Sequence, residues 1–333
     1  MKKQSSRSRV AGHKGCVGEF PWKFVRAAVI VAVTSGFATE HSLADEASES
    51  AVAPVSATSV SRAAVEPEIV SITVPGVGTF GGDVAMHTEV YKPAGDGPFP
   101  TLIFSHGRAA DGLDRAKLAH PIGNGHVRYW LAKGFAIVAP VRVGYGKTGG
   151  PDIEDSGSWF DSFGTCRSRP DYRKLARVTA QETSAAINWA RAQTWVDSKR
   201  IVLEGGSVGG FATVATAATH PSGVIAYINF AGGAGGLPDR SPGHSCDPEQ
   251  MKEVMAELGK TTALPGIWLY AENDHYWGPE APRRWFDAFV SGGSPAEFVN
   301  PGELAGHDGH FLLSYGGKMW SVPVDRFVKQ FGF

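Results

Sequence analysis

The chain is predicted to be an α/β protein built on a mostly parallel central sheet, and three observations lead there. Short apolar, β-branched runs alternate with longer stretches whose apolar residues recur at spacings of three and four. Several of the short runs, such as Ile201-Val-Leu203 and Ile267-Trp-Leu-Tyr270, are apolar without interruption, as strands covered on both faces must be. A Gly-x-Ser-x-Gly pentapeptide, Gly205-Gly-Ser207-Val-Gly209, stands between one such run and a helical stretch.

The predicted strands are Glu68 to Val74, Ala85 to Tyr91, Thr101 to Phe104, Phe135 to Ala139, Arg200 to Leu203, Val224 to Phe230, Gly266 to Tyr270 and Ala296 to Val299. The first two have only a short glycine-containing connection and are expected to form an antiparallel hairpin. Helices are predicted over Val127 to Lys133, Tyr172 to Gln193, Gly210 to Thr219, Pro248 to Leu258, Ala281 to Ser291 and Trp320 to Phe331. Right-handed crossovers then put ligand chemistry at the carboxyl ends of the parallel strands. Two longer connections, Arg142 to Pro170 and Ala231 to Thr262, are expected to form a small cap over that edge.

Composition narrows the function classes. Lys and Arg number 32 against 33 Asp and Glu, so no basic field marks a nucleic-acid binder. With 42 Gly, 21 Pro and 42% hydrophobic residues, the bulk is a loop-rich globular chain, not a disordered one. Near the N-terminus, Lys2, Lys3, Arg7, Arg9, Lys14, Lys23 and Arg26 precede a short apolar stretch from Ala27 to Ala38, followed by Ser42-Leu-Ala44 and acidic Asp45-Glu46. This is the pattern of an export signal over residues 1–44, cleaved after Ala44, so the expected location is periplasmic or secreted, with no stable membrane insertion. Residues 45–67, rich in Ala, Ser, Val and Glu, read as a flexible leader, and residues 68–333 as one catalytic-size domain. Signal removal takes Cys16 away, and the even pair that remains in an exported chain favours a Cys166–Cys246 disulfide.

Two glycine clusters compete for the chemistry. Gly144-Tyr-Gly146-Lys-Thr-Gly149 has dinucleotide-binding spacing, but Gly150-Pro151-Asp152 follows where a helix would have to begin. Without a helix N-terminus there is nothing to hold a pyrophosphate. The cluster around Ser207 has the right setting, since it follows Arg200-Ile-Val-Leu203 directly and opens Gly210-Phe-Ala-Thr-Val-Ala. A sharp strand-to-helix turn brings backbones together, which requires small flanking residues, and it lifts the serine Oγ above the sheet.

With these motifs the chain resembles the α/β-hydrolase superfamily, and more narrowly its dienelactone-hydrolase-like and prolyl-oligopeptidase-like exported members. The resemblance runs over residues 68–333. It rests on Ser105-His106-Gly107-Arg108 after an early strand, Gly134-Phe-Ala-Ile-Val-Ala-Pro140, Gly144-Tyr-Gly146 and the Ser207 elbow. One departure is plain: dienelactone hydrolases use a cysteine nucleophile, and this elbow carries a serine.

The resemblance implies an α/β-hydrolase fold and a serine esterase working through an acyl-enzyme. Ser207 would be the nucleophile, Asp274 the acid and His310 the base, with Glu272 and His307 as the nearest competitors. It implies oxyanion donors at the backbone N–H of Val208 and of Gly107 or Arg108. His106 would shape that loop. Tyr145, Trp159, Phe160, Phe230, Tyr276 and Trp277 fall in strand-end segments and could line a substrate pocket, as could His106. No metal-ligand set and no cofactor motif is visible, and the expected partner is a small-molecule ester. A serine peptidase or amidase, or a non-catalytic exported binding protein, are the other readings the fold allows.

Overall fold

The computed structural model describes residues 65–333; the expected export signal, Cys16 and all but the last three residues of the expected leader lie outside them. Eight strands form one sheet in the order β1-β2-β4-β3-β5-β6-β7-β8. β1 (Glu68–Val74) pairs antiparallel with β2 (Val84–Tyr91), Glu68 opposite Val90 and Val74 opposite Val84. β2 is also antiparallel to β4 (Ala136–Pro140). From there β3 (Phe99–Ser105), β5 (Val196–Gly206), β6 (Val224–Phe230), β7 (Gly266–Leu269) and β8 (Ala296–Val299) run parallel. The predicted hairpin start and parallel body are both present.

Alternation along the strands sends neighbouring residues to two cores. Leu203, Tyr227 and Trp268 pack under α3 (Tyr172–Arg191), α4 (Val208–Ala217), α5 (Pro248–Gly259) and α6 (Glu280–Val290). Val202, Ile228 and Ile267 face α2 (Asn124–Ala132) and α8 (Gly317–Lys329). Covering on both faces explains the uninterrupted apolar runs. No helix of the described residues is long and apolar enough to cross a membrane.

Departures from the predicted boundaries have local causes. α2 starts three residues early, because Asn124 and Gly125 carry no apolar signal. β5 starts at Val196 and passes through polar Asp197-Ser-Lys199 across a register shift, which hid its first part. Two short helices were missed: α1 (Gly112–Ala116), capped by Asp111 and burying nothing, and α7 (Leu312–Tyr315). A helix that buries no residue leaves no period to read. The second expected cap segment is only partly one, since its latter half is α5, which packs Met251, Val254 and Met255 into the core.

Cys166 and Cys246 are joined by a disulfide with Cα atoms 5.1 Å apart, closing a separation of 80 residues. It ties the two long connections together. Loop closure of that length stabilises by on the order of 4 kcal/mol. Thiol titration of the unfolded, unreduced chain from residue 45 onward should therefore find no reactive thiol, and reduction should lower the melting temperature; two reactive thiols would show the bridge does not form.

Candidate active site

Ser207 sits between β5 and α4 with φ 57° and ψ −125°, a conformation that non-glycine residues avoid. Surrounding hydrogen bonds hold it there: its N–H donates to Phe230 O (2.9 Å), and its carbonyl accepts from the N–H groups of Phe211 (3.0 Å) and Gly233 (3.3 Å). The flanking glycines are sterically required. A Cβ on Gly205 would strike Gly209 O and Ser105 O, and one on Gly209 would strike the carbonyls of Ser105 and His106. Gly206 is under less constraint, with the end of the Leu313 side chain its nearest neighbour.

Asp274 follows β7 and is 2% exposed. Its Oδ1 accepts the backbone N–H of Tyr276 (2.7 Å) and of Trp277 (3.0 Å), and its Oδ2 lies 3.1 Å from His310 Nδ1. A carboxylate only accepts, so Nδ1 carries the proton and Nε2 is left with a lone pair. The His310 ring stacks on Tyr276 at 3.8 Å between centroids and meets Trp277 edge-on. His307 is exposed and stacks on Tyr315, while Glu272 is exposed. Asp274 thus meets His310 and neither competitor takes part. No hydrogen bond joins Ser207 Oγ to His310, but both line one cavity.

Two residues overlooked in the sequence knit the acid loop to the base loop. Asp308 Oδ1 accepts the N–H of His310 and of His275, each at 2.9 Å. Asn273 bonds Leu304 N (2.8 Å), Leu304 O (3.2 Å) and His307 O (3.0 Å). Gly309 lets the loops touch, since a Cβ there would come within 2.7 Å of Asp274 N. The available signal was two Asx residues each adjoining a candidate site residue, which spacing alone does not distinguish from turn chemistry.

On the other side of Ser207, Gly107 faces its Cβ, 3.4 Å from where a side chain would begin. Val208 opens α4, so its N–H has no helical acceptor. The loop between is fixed through His106. The Arg142 N–H donates to His106 Nε2 (3.0 Å), so the ring proton is on Nδ1 and donates to Gly107 O (2.7 Å). Burial and the Arg142 charge hold His106 well below the usual histidine range, and the ring is neutral. Arg108 is bidentate to Asp152 (2.6 and 2.7 Å), which holds its guanidinium.

Behind that loop Arg142 is enclosed with Glu154 and Glu182. Burial, and then the neighbouring Glu154, push Glu182 well above the carboxylate range. The unfolded chain ionises Glu182 at lower pH than the folded one, so this residue costs stability increasingly as pH rises from the ordinary carboxylate range towards its raised folded value. Glu182→Gln should accordingly melt higher than the wild type at pH 8, with the difference shrinking towards pH 4; a difference independent of pH would contradict it.

Two cavities meet at Ser207. One, of about 850 Å³, contains Ser207 and His310 and is walled by Phe104, Ile122, Tyr129, Phe311 and Trp320. The other, of about 920 Å³, lies under the bridged connections and is lined by Trp159, Phe160, Trp277, Asp155 and Asp239. Arg108 and Tyr276 border both, and His106 borders the first. Tyr145 lines neither: it is 2% exposed and donates to Glu154 Oε2 at 2.8 Å, so the expectation that it touches substrate is corrected. Phe230 also lies buried in the core below. Among the described residues no group of three or more His, Cys, Asp or Glu could hold a metal ion.

A model of the X-Pro dipeptidyl-peptidase S15 family matches residues 81–241, which include Ser207 and end before Asp274 and His310. No curated protein matches the sequence. Among solved structures, an acetyl xylan esterase from Paenibacillus sp. R4 is similar with a TM-score of 0.52 and 15% identity, covering 79% of this chain and 83% of that one. Dipeptidyl peptidase 4 from Porphyromonas gingivalis gives 0.53 and 13% over 80% of this chain, which spans 35% of that longer protein. An esterase from Pyrococcus furiosus gives 0.50 and 11%, covering 79% and 91%. Similarity at these identities is a likeness of fold.

Proposed function

We propose that this chain, which has the α/β-hydrolase fold, is an exported serine hydrolase that cleaves carboxylic esters through an acyl-enzyme on Ser207. The observation that carries the reading is the strained Ser207 in one cavity with an imidazole whose Nδ1 is held by Asp274. His310 Nε2 takes the Ser207 proton as Oγ bonds to the acyl carbon. The same proton then passes to the leaving oxygen as its bond to that carbon breaks. Water repeats the sequence on the acyl-enzyme, with His310 again as base, releasing the acid. The N–H groups of Val208 and of Gly107 or Arg108 stabilise the oxyanion. The Cys166–Cys246 bridge supports export, since such bonds persist in oxidising compartments.

A peptidase reading has a specific observation in its favour, the match to the dipeptidyl-peptidase family over residues 81–241. Purified protein from residue 45 onward, given p-nitrophenyl acetate and dipeptidyl p-nitroanilides in parallel, separates the two. Ester hydrolysis without anilide cleavage is expected; anilide cleavage at comparable kcat/KM would transfer the assignment to a peptidase.

A further inference from the structure

The second cavity, under the bridged connections, holds neither the acid nor the base and yet opens on the nucleophile. Ser207 and Val208 line it and His310 does not; in the first cavity His310 and Ser207 stand together and Val208 is absent. Tyr276 borders both, its ring stacked on His310 at 3.8 Å between centroids. Trp159 is the most exposed ring lining the second cavity, at 58%. Its backbone is nevertheless pinned. The Trp159 N–H donates to Ser168 Oγ (2.8 Å), and its carbonyl accepts from the Arg167 N–H (2.9 Å). Phe160 forms an antiparallel bridge with Cys166, and Asp161 Oδ1 closes the turn between them by accepting the N–H groups of Phe163 (2.9 Å) and Thr165 (3.0 Å). Cys166 is fixed in turn by its disulfide to Cys246. An indole held out on a tethered backbone, in a cavity that reaches the nucleophile, is apolar area left for a ligand to cover.

We propose that this cavity is the acyl subsite, that Trp159 is its specificity-determining residue, and that the acyl group it takes carries an aryl ring and no negative charge. The inference deepens the ester-hydrolase reading and rests on it. His310 returns the proton to the leaving oxygen, so the leaving alcohol must come within hydrogen-bond reach of the imidazole, in the first cavity. The acyl chain, bonded to the same carbon, is left the other opening at Ser207, the one lined by Val208. The ring preference comes from Trp159 and Phe160 on one connection and Tyr276 beside Ser207, which offer faces and edges to an aryl group. The exclusion of charge comes from the carboxylates. Among the charged residues lining the cavity, Asp114 is paired with Lys117, Glu154 with Arg142 and Arg108 with Asp152. Asp111, Asp155 and Asp239 are left against Arg240 alone, none of the three with an ion-pair partner among the described residues, so a carboxylate on the acyl group is repelled.

The test moves one phenyl group between the two sides of the ester. p-Nitrophenyl 3-phenylpropanoate against p-nitrophenyl propanoate varies the acyl side, and 2-phenylethyl acetate against ethyl acetate varies the alcohol side. Trp159→Ala should lower the phenyl preference in kcat/KM about tenfold in the acyl series and leave the alcohol series within about twofold; Trp159→Phe should keep most of the preference. Alanine retains the backbone bonds to Arg167 and Ser168 and removes a mostly exposed ring, so the variant should melt close to the wild type. A loss confined to the alcohol series, or no loss in either, would overturn the subsite while leaving ester hydrolysis intact. 2-Phenylethylboronic acid against ethylboronic acid reads the same subsite without turnover, since boron bonds Ser207 Oγ as the acyl carbon does, and the ratio of their inhibition constants should fall about tenfold in Trp159→Ala. Boronate selectivity that depends on Trp159, in a protein that hydrolyses no ester of either series, would overturn the ester reading and keep the subsite. For the charge, p-nitrophenyl 3-(4-carbamoylphenyl)propanoate should exceed its 4-carboxyphenyl counterpart about tenfold in kcat/KM at low salt, a ratio that shrinks in high salt and in the Asp155→Asn, Asp239→Asn double variant. Equal rates for the two in the wild type would overturn the exclusion of charge.

Discussion

Ser207→Ala is expected to lower kcat/KM for p-nitrophenyl acetate by on the order of 10⁴-fold or more, down to a residue of binding and oxyanion stabilisation. The fold should not change. The strained backbone at 207 is fixed by bonds from its own N–H and carbonyl to Phe230, Phe211 and Gly233, and its Oγ makes none. Alanine keeps all of these and tolerates the same φ no worse than serine, so the melting temperature should stay within a degree or two of the wild type, as for substitutions that remove no packing. A Gly209→Ala control should do the opposite, failing to fold well because the new methyl meets the Ser105 and His106 carbonyls. Turnover in Ser207→Ala comparable with the wild type would remove the proposed mechanism.

The second large effect separates two histidines three residues apart. His310→Ala should lose about 10⁴-fold in kcat, since Ser207 is then without a base, and Asp274→Asn about 10³- to 10⁴-fold, since an amide can hold the wrong tautomer. His307→Ala should lose less than about tenfold: its ring is exposed against Tyr315, and only its backbone carbonyl, retained in alanine, bonds Asn273. The kinetic assay on the four proteins checks the ranking, and the reverse order for His307 and His310 would reassign the base. Glu272→Gln belongs with His307→Ala, for its side chain is exposed and contacts neither histidine.

Much of the fold was legible because burial on both sheet faces writes itself as uninterrupted apolar runs, and because a G-x-S-x-G turn has to follow a strand and open a helix. Val224–Phe230 has the predicted bounds for that reason; Glu68–Val74 and Ala296–Val299, the partly buried edge strands, also keep theirs. Elements whose residues are mostly exposed, such as α1, carried no such record. At the site, Ser207 and Asp274 are readable from position relative to strand ends, whereas His307 and His310 both follow a glycine, so spacing does not divide them; the resemblance favours His310, and it is His310 that contacts Asp274. Tyr145 was misread because a loop position does not reveal which way a ring turns, and here a buried Glu154 draws it inward.

The central claim is that Ser207 is the nucleophile, and trapping it tests this most directly. The protein is incubated with an activated phosphonate ester, and the adduct is located by intact-mass and peptide mass spectrometry. The account predicts one adduct per chain, on the peptide carrying Ser207, absent in Ser207→Ala and slowed in His310→Ala. Stoichiometric labelling of a different residue, or labelling of the wild type that persists in Ser207→Ala, would contradict it.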